Sequence, residues 1–349
     1  MGPSKLLIRF LLCVLSFVLL PIQSMRAQAN DPVQIAKEYY NIGDFEKARA
    51  EFEKLAKNKK NIERIHKTYL DLLITLEDYD AGEKYIKRIL RDNPDNFEYE
   101  IDLATVYRAK KDDDKVESLL NDVIRKETKK AQTDKNPTRI RILANMFFQK
   151  NFREKALSTY IQGRSAMKRP DMFAIDLANI YRLMNRKAEM VSEYLNFSKN
   201  QPQNLNYVKN SLQNYLREPE DLDTLEVILY DFIQKEPGKS AFNDLLVWTH
   251  LQQKNFPAAL RQARALDRRL ENKGDNIMNV GMISFRNSDY KSSQKAFAYI
   301  LDDFPESPNR RLASRYALLS EEEVLKSSYP VDTVAINQLI LKYEVFIGQ

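Results

Sequence analysis

The chain has 349 residues, of which 43% are hydrophobic and 30% are charged, and its formal net charge is +6. Only 8 residues are glycine, and Lys, Glu, Leu, Ala and Tyr are abundant, a composition that favours a nearly all-helical protein. The single cysteine, Cys13, excludes an intramolecular disulfide framework.

The first 29 residues have the features of a secretory signal peptide. Lys5 and Arg9 form a positively charged segment, and an apolar run of 11 residues from Phe10 to Leu20 follows it. Ala27-Gln28-Ala29 then supplies the small-x-small pattern that signal peptidase recognises. We predict that residues 1–29 are cleaved off, because the apolar run is short for a membrane span. An uncleaved membrane anchor is the alternative.

Cleavage changes the charge balance of the mature chain. It removes three basic residues and no acidic ones, which leaves 52 basic against 49 acidic residues and a net charge of +3. Such an excess, spread over about 320 residues, is not the basic surface that nucleic-acid binding requires. The sequence therefore predicts an exported protein that binds no nucleic acid and has no stable membrane insertion after cleavage.

One motif recurs along the rest of the chain. Its clearest copy contains Ile35, Ala36, Tyr39, Gly43-Asp44-Phe45, Ala48, Phe52 and Leu55. Steps of 34, 34, 40, 34, 35, 34 and 34 residues give eight copies, with small residues where two helices would approach closely. Over roughly residues 32–305 this pattern resembles the tetratricopeptide repeat (TPR) family, whose unit is a pair of antiparallel helices about 34 residues long.

The resemblance implies an all-α protein, a right-handed TPR-like solenoid of antiparallel helix pairs. We predict eight repeats over residues 30–305 and an imperfect ninth repeat or capping helices over residues 306–349. Three repeats depart from the family pattern at a position that prefers a small residue, and their helix pairs are expected to pack more openly: Leu70, Gln213 and Val247.

Two polar segments are expected to interrupt the helices. The step of 40 residues falls on Thr128–Asn136, which we interpret as a lengthened connection between repeats. Ser320–Pro330 is expected to end the first helix of the ninth repeat.

The last predicted helix, Val334–Phe346, has an apolar stripe that includes Ile336, Leu339 and Ile340. The terminal helix of a solenoid needs a polar outer face, because its last apolar face would otherwise meet water. This helix therefore folds back on the repeats, docks a partner, or belongs to a fragment of a longer chain.

The sequence contains no recognisable catalytic or cofactor-binding motif. The mature chain has no cysteine and only two histidines, His66 and His250, whereas metal sites of this type need several converging ligands. No Gly-rich phosphate loop, zincin motif or kinase motif occurs. Asp112-Asp113-Asp114 lies in a predicted turn, where helix capping explains it better than a cation site. We predict a protein that is not an enzyme and that has neither cofactor nor metal.

In the TPR family, the first helix of each repeat lines a concave groove, and the resemblance assigns groove positions to this chain. One column of these positions contains Asn145, Asn179, Asn214 and then Trp248. An asparagine amide both donates and accepts, so such a column would bind a peptide backbone. Neighbouring columns add Arg141, Phe148, Arg182 and Arg217. These residues predict a groove for an extended, acidic-leaning peptide; the alternative is an ordinary solvated helix surface.

Together these features predict an exported scaffold for protein–protein or protein–peptide binding. Its predicted place is the bacterial periplasm or cell envelope, and its predicted role is that of an assembly factor. Two alternatives remain open, namely the solenoid portion of a larger enzyme and a protein that binds glycan or peptidoglycan.

Overall fold

The computed structural model describes residues 31–330 and 332–348. The predicted signal peptide and Cys13 lie outside these residues. The described residues form 18 α-helices and two short 3₁₀ helices, Lys59–Asn61 and Pro202–Asn204, and they contain no β-strand. None of the described helices is long and apolar enough to cross a membrane. The prediction of an all-α fold is confirmed.

The chain divides into two compact units, which meet in sequence at Met167 and Lys168. The described part of the first unit contains α1 Pro32–Asn41, α2 Phe45–Ala56, α3 Ile62–Thr75, α4 Tyr79–Asp92, α5 Phe97–Ala109, α6 Asp113–Thr133, α7 Thr138–Gln149 and α8 Arg153–Ala166. The second unit contains α9 Ala174–Leu183, α10 Lys187–Ser198, α11 Leu205–Tyr215, α12 Pro219–Lys235, α13 Ser240–Gln252, α14 Phe256–Leu270, α15 Asp275–Arg286, α16 Tyr290–Asp303, α17 Arg310–Lys326 and α18 Thr333–Ile347.

Consecutive helices form pairs, from α1–α2 as the first pair to α17–α18 as the ninth. Within each unit, the second helix of a pair also packs against the first helix of the next pair, which is the stacking that a repeat fold requires. The sixth pair is the exception, because α11 and α12 share little contact and α12 packs against α10 and α13 instead. The more open packing expected from Gln213 is therefore confirmed. The same expectation was wrong for Val247, whose pair α13–α14 packs closely.

A residue with left-handed backbone recurs in the turn between the two helices of a pair. These residues have φ between 55° and 80°, and they are Gly43, Glu77, Lys111, Asn151, Asn185, Lys254 and Ser288. Their spacing follows the steps of the sequence repeat, with a gap at the sixth pair, where Pro219 begins α12. The left-handed turn therefore recurs at the spacing that the side-chain pattern predicts.

An acidic or amide side chain follows most of these turns and caps the second helix. Five such side chains each accept a hydrogen bond from the backbone N–H three residues later: Asp44, Asp78, Asp112, Asn255 and Asp289. Each bond satisfies a donor that the first turn of a helix leaves unpaired. The capping role predicted for Asp112 is confirmed.

Small residues lie where the helices approach most closely. Six alanines at the predicted small positions are fully buried: Ala36, Ala48, Ala104, Ala144, Ala156 and Ala178. In the eighth pair, Gly281 lies so near α16 that an added Cβ would come within 2.8 Å of the Phe297 ring. This close contact explains why the repeat needs small side chains at one point of each pair.

Helices extend into both predicted interruptions. α6 runs without a break from Asp113 to Thr133, so most of Thr128–Asn136 extends this helix instead of forming a loop. Thr128 and Ala131 are buried, and this burial stabilises the last turns of α6. Similarly, α17 continues to Lys326 through Ser320, whose buried hydroxyl lies 2.9 Å from that of Ser293. The prediction of a loop at Thr128–Asn136 was wrong, whereas the first helix of the ninth pair does end within Ser320–Pro330, at Lys326. A polar composition does not show which of its residues are buried.

The predicted last helix is present as α18. Of the three alternatives left open for it, packing on the repeats is observed, because α18 lies against α17 with Leu339 buried between them. Much of the remaining apolar surface of α18 is exposed.

Candidate functional site

A cavity of about 340 Å³ opens between first helices of the second unit. Residues of α11, α13 and α15 line most of it, and the turns after α13 and α15 each add one residue. The lining residues are Lys209, Asp244, Val247, Trp248, Leu251, Gln252, Lys254, Asn276, Asn279, Ile283 and Asn287.

The helical period of α13 brings its lining residues together. Asp244, Trp248 and Gln252 are spaced four residues apart, so they lie along one face of the helix. The opposite face, with Leu245, Leu246 and Thr249, is buried in the core of the second unit. Core packing therefore fixes the direction in which the three lining side chains point.

The charged groups in the cavity are largely neutralised. Lys209 Nζ lies 2.7 Å from Asp244 Oδ2, which joins α11 to α13 by an ion pair across the cavity. Lys254 occupies the left-handed turn after α13, where it is exposed and makes no ion pair with a described residue. The cavity is thus mildly positive beside Lys254.

Four amide side chains line the cavity. Two of them form hydrogen bonds within the protein, and the other two are open to a ligand. Asn276 donates to Asp267 Oδ1 at 2.6 Å, and Asn287 donates to the carbonyl of Ile283 at 2.9 Å. Gln252 and Asn279 are exposed and form no side-chain hydrogen bond with the described residues. Two amides beside an aromatic ring can therefore meet a polar ligand without first breaking an internal bond.

A buried carboxylate positions the α15 side of the cavity. Asp267 is fully buried and accepts hydrogen bonds from the backbone N–H groups of Asn276 and Ile277, at 3.1 and 2.9 Å. Burial raises the pKa of Asp267, although these bonds oppose the shift. The carboxylate caps the N-terminus of α15, where a negative charge is favourable.

Four of the predicted site residues lie in the second unit together with Trp248. Trp248 is half-buried and lines the cavity, whereas Asn179 and Asn214 are exposed on α9 and α11 and do not line it. The Arg182 guanidinium lies 5.0 Å from the centre of the Tyr215 ring. Arg217 Nε donates to the carbonyl of Asn214 at 3.0 Å.

The other predicted residues, Arg141, Asn145 and Phe148, lie on α7 of the first unit. Asn145 and Arg141 are exposed and Phe148 is half-buried. All three predicted asparagines are therefore accessible to solvent, and a peptide-binding role for them stays a prediction.

Sequence analysis missed Gln252, Asn279 and the Lys209–Asp244 ion pair. The predicted groove columns could have identified Asp244 and Gln252, because these residues stand four positions before and after Trp248 on the same helix face. Asn279 gave no such signal, because its access to the cavity depends on how α15 packs against α13.

A buried polar cluster in the first unit was also missed. His66 Nε2 lies 2.9 Å from Asp102 Oδ2, and Lys150 donates to the other oxygen of the same carboxylate. Tyr85 and Tyr99 enclose the imidazole, with ring centres 5.7 and 4.8 Å away. The cluster joins the first helices of the second and third pairs to the end of α7. Among the described residues, no group of three or more His, Cys, Asp or Glu side chains could hold a metal ion.

The sequence matches no protein-family model and no curated protein. Three solved structures to which the chain is similar have identities of 13–14%. One is a tetratricopeptide repeat protein from Parabacteroides merdae, with 75% of this chain and 99% of that chain covered and a TM-score of 0.25. The others are Naa15/Naa10 bound to HypK-THB (83% and 55%, TM-score 0.29) and the human IFIT1 dimer with PPP-AAAA (86% and 65%, TM-score 0.28).

This chain therefore spans about half the length of the matched Naa15/Naa10 chain, for which the covered share is 55%. At these TM-scores the likenesses carry no functional argument. The fold assignment rests on the helix pairs of the chain itself, and the exclusion of nucleic acid stays a prediction.

Proposed function

We propose that this chain is a binding scaffold that holds an extended peptide segment of a protein partner in the cavity around Trp248. The observation that carries the proposal is the arrangement of the half-buried indole beside the two open amides of Gln252 and Asn279. The lining of this cavity combines four apolar side chains with polar ones that converge on it, and convergent polar groups beside an apolar surface are typical of a ligand site.

Each part of the cavity matches one part of a peptide. Gln252 and Asn279 both donate and accept, so they suit the C=O and N–H groups of an extended backbone, which no intramolecular bond satisfies. Trp248 offers a large rigid surface to one side chain of the peptide, with Leu251 and Ile283 nearby. The exposed Lys254 favours an acidic residue in the peptide.

The proposed place of action is the bacterial cell envelope, and the proposed role is that of an assembly factor without catalysis. The support is the signal-peptide pattern of residues 1–29, which lies outside the described residues, and the lack of a catalytic motif in the sequence. Cell fractionation and the mass of the mature protein test this step. We expect a mature chain that begins at Asn30 in the periplasmic or envelope fraction, and a cytoplasmic chain with residues 1–29 intact would contradict export.

A photo-crosslinking amino acid at Gln252 tests peptide binding in the source cells. We expect covalent capture of a specific protein, identified by mass spectrometry, whereas the same crosslinker at the exposed Tyr230 on α12 should not capture it. Capture of the same proteins from both positions would contradict a site at the cavity.

The captured segment, made as a synthetic peptide, then gives the affinity. Trp248→Ala should weaken its binding by about 2 kcal/mol, roughly 30-fold, because buried aromatic anchors dominate such sites. Tyr230→Ala is the matched control and should bind as the wild type does.

An aromatic ring beside amides also suits a sugar. If the wild type is retained on purified peptidoglycan and Trp248→Ala is not, the glycan alternative replaces the peptide proposal.

A further inference from the structure

A second cavity, of about 730 Å³, opens in the first unit, at an edge of the stack where one helix pair connects to the next. Two such connections line it, one from the end of α2 to the start of α3 and one from the end of α4 to the start of α5. Its volume lies within the range of roughly 300–1,000 Å³ that is typical of small-ligand sites. We call it the edge cavity, to distinguish it from the cavity around Trp248.

The second helices α2 and α4 contribute the basic side of the edge cavity. Lys57 lies at the end of α2, and Arg88 and Arg91 lie near the end of α4. Arg88 is half-buried and donates to the carbonyl of Ala56 at 2.9 Å, which fixes its guanidinium against the end of α2. A guanidinium carries five N–H donors, so Arg88 keeps further donors for an anionic group.

The first helices α3 and α5 contribute an acidic and aromatic side. Glu63 lies in the first turn of α3 and Glu98 in the first turn of α5, next to the half-buried Tyr99. His66 meets the Tyr99 ring edge-on, with ring centres 4.8 Å apart, and Asp102 holds His66 in place. The pKa of Tyr99 is raised by burial and further by the charges of Glu98 and Glu63, so both carboxylates act on its hydroxyl. Carboxylates beside an aromatic ring suit a cation.

Most of these charges have no counterion within the protein. Four exposed residues of the edge cavity form no ion pair with any described residue: Lys57, Glu63, Arg91 and Glu98. By contrast, Lys59 of the same cavity pairs with Asp92 at 2.7 Å. A ligand with one positive and one negative end therefore meets partners for both ends without first breaking an ion pair.

We infer that the edge cavity binds a short peptide by its two free ends. The α-ammonium group of the peptide lies against Glu63, Glu98 and the Tyr99 ring. Its α-carboxylate lies against Arg88 and Arg91, where charge-assisted hydrogen bonds are strong. The opposite signs of the two sides fix the direction in which the peptide binds.

The other lining residues and the signs of the charges favour this class of ligand. Ala56, Ile62 and Ile89 also line the edge cavity and offer apolar contacts to a peptide side chain. A ligand with negative charge alone would be repelled by Glu63 and Glu98, and a ligand with positive charge alone would be repelled by the basic side. A single amino acid carries both charges but is small for 730 Å³, whereas a tripeptide has the size of ligand that such volumes hold.

Calorimetric titration of the purified full chain with the tripeptide alanyl-leucyl-alanine tests the inference. We expect a dissociation constant below about 1 mM. Acetylation of the amino end and amidation of the carboxyl end should each weaken binding about tenfold, because each removes one charged contact. Absence of binding up to about 10 mM, or equal binding of the free and the capped peptides, would overturn the inference.

Variants of the protein locate the site. Arg91→Gln and Glu98→Gln should each weaken binding of the free tripeptide about tenfold. Once the carboxyl end is amidated, Arg91→Gln should have little further effect, because the contact is already lost. Arg153→Gln and Glu154→Gln, at exposed positions in the first turn of α8, are the matched controls and should bind as the wild type does. Circular dichroism confirms that each variant is folded.

The inference does not depend on the function proposed for the cavity around Trp248, which lies in the other unit. Trp248→Ala should therefore leave binding of alanyl-leucyl-alanine unchanged. Binding that is lost in Trp248→Ala but kept in Arg91→Gln and Glu98→Gln would place the tripeptide at the other cavity and overturn the inference.

Discussion

At the scale of single residues, Asp102 is a buried carboxylate with two specific partners. Its side chain is almost completely buried, and it receives hydrogen bonds from His66 and Lys150, which belong to neighbouring helix pairs. Burial alone would raise the pKa of Asp102, but these hydrogen bonds and the charge of Lys150 outweigh it and lower the pKa below 3.8. The ionised form of Asp102 therefore stabilises the folded state.

The pH dependence of stability follows from the sign of this shift. The stabilisation is fully present above 3.8, the ordinary pKa of an aspartate, and disappears as the pH falls through the lowered value. Asp102→Asn should lower the free energy of unfolding by about 2 kcal/mol at pH 7, because it leaves a buried pair incomplete. Urea titrations at pH 7 and pH 3 measure this difference, which should shrink at the lower pH.

The exposed Asp80, which pairs with Lys110, provides the control for Asp102. Asp80→Asn should change the stability little at either pH, since exposed ion pairs contribute little. A difference between wild type and Asp102→Asn that stays constant from pH 7 to pH 3 would show that the charge of Asp102 is not the cause.

At the scale of the helix pair, the left-handed residue in the turn is the feature that recurs most regularly. Only the first pair uses glycine there, at Gly43, whereas later pairs use side chains such as Glu77 and Lys111. An L-residue in this region costs roughly 1 kcal/mol relative to glycine, so most pairs carry a small strain. The repeat tolerates this strain because the helices on both sides are fixed by packing.

Two substitutions with opposite expected effects on stability test this account. Gly43→Ala should lower the free energy of unfolding by about 1 kcal/mol, and its Cβ meets no atom within 4 Å, so the cost is that of the backbone alone. Lys111→Gly should raise the free energy of unfolding by about 0.5 kcal/mol, because it relieves roughly 1 kcal/mol of backbone strain and the greater entropy of glycine in the unfolded chain offsets about half of that gain. Equilibrium denaturation measures both, with Lys111→Ala as the neutral control. Destabilisation by Lys111→Gly would contradict the argument.

At the scale of the whole molecule, stability is a local property of neighbouring pairs. Within each unit the described helices contact mainly the helices next to them in the chain, as in other stacked repeats. A defect in one pair should therefore loosen that pair and its neighbours, while distant pairs keep their own contacts.

Gly281→Ala creates such a defect without changing a polar group. Its Cβ would lie 2.8 Å from the Phe297 ring and 3.1 Å from Ala296, so α15 and α16 must separate, at a cost of about 1–3 kcal/mol. Hydrogen exchange should show faster exchange in α15, α16 and adjacent helices of the second unit, with α1–α4 unchanged. Gly238→Ala, which meets no atom within 4 Å, is the control. Uniform loss of protection along the chain would contradict local stability.

The spacing of the helix pairs along the chain could be predicted from the sequence, because small residues and turn residues act locally. Positions such as Ala36 and Gly281 must be small wherever two helices touch, and this requirement repeats with the unit. The site could be predicted only in part. Trp248 lies on a predictable helix face, but the access of Asn279 to the cavity depends on the packing of a different pair.

The sequence by itself determined the helix pairs, their spacing and the small residues at their contacts, because each of these depends on residues within one turn or one pair. Only the tertiary structure decided that Thr128 and Ser320 lie inside helices, that His66, Asp102 and Lys150 meet, and which side of α18 stays exposed. These features depend on contacts between residues in different pairs. Burial by a neighbouring pair overrides the local preference of a polar segment, and no local pattern records which neighbour will be there.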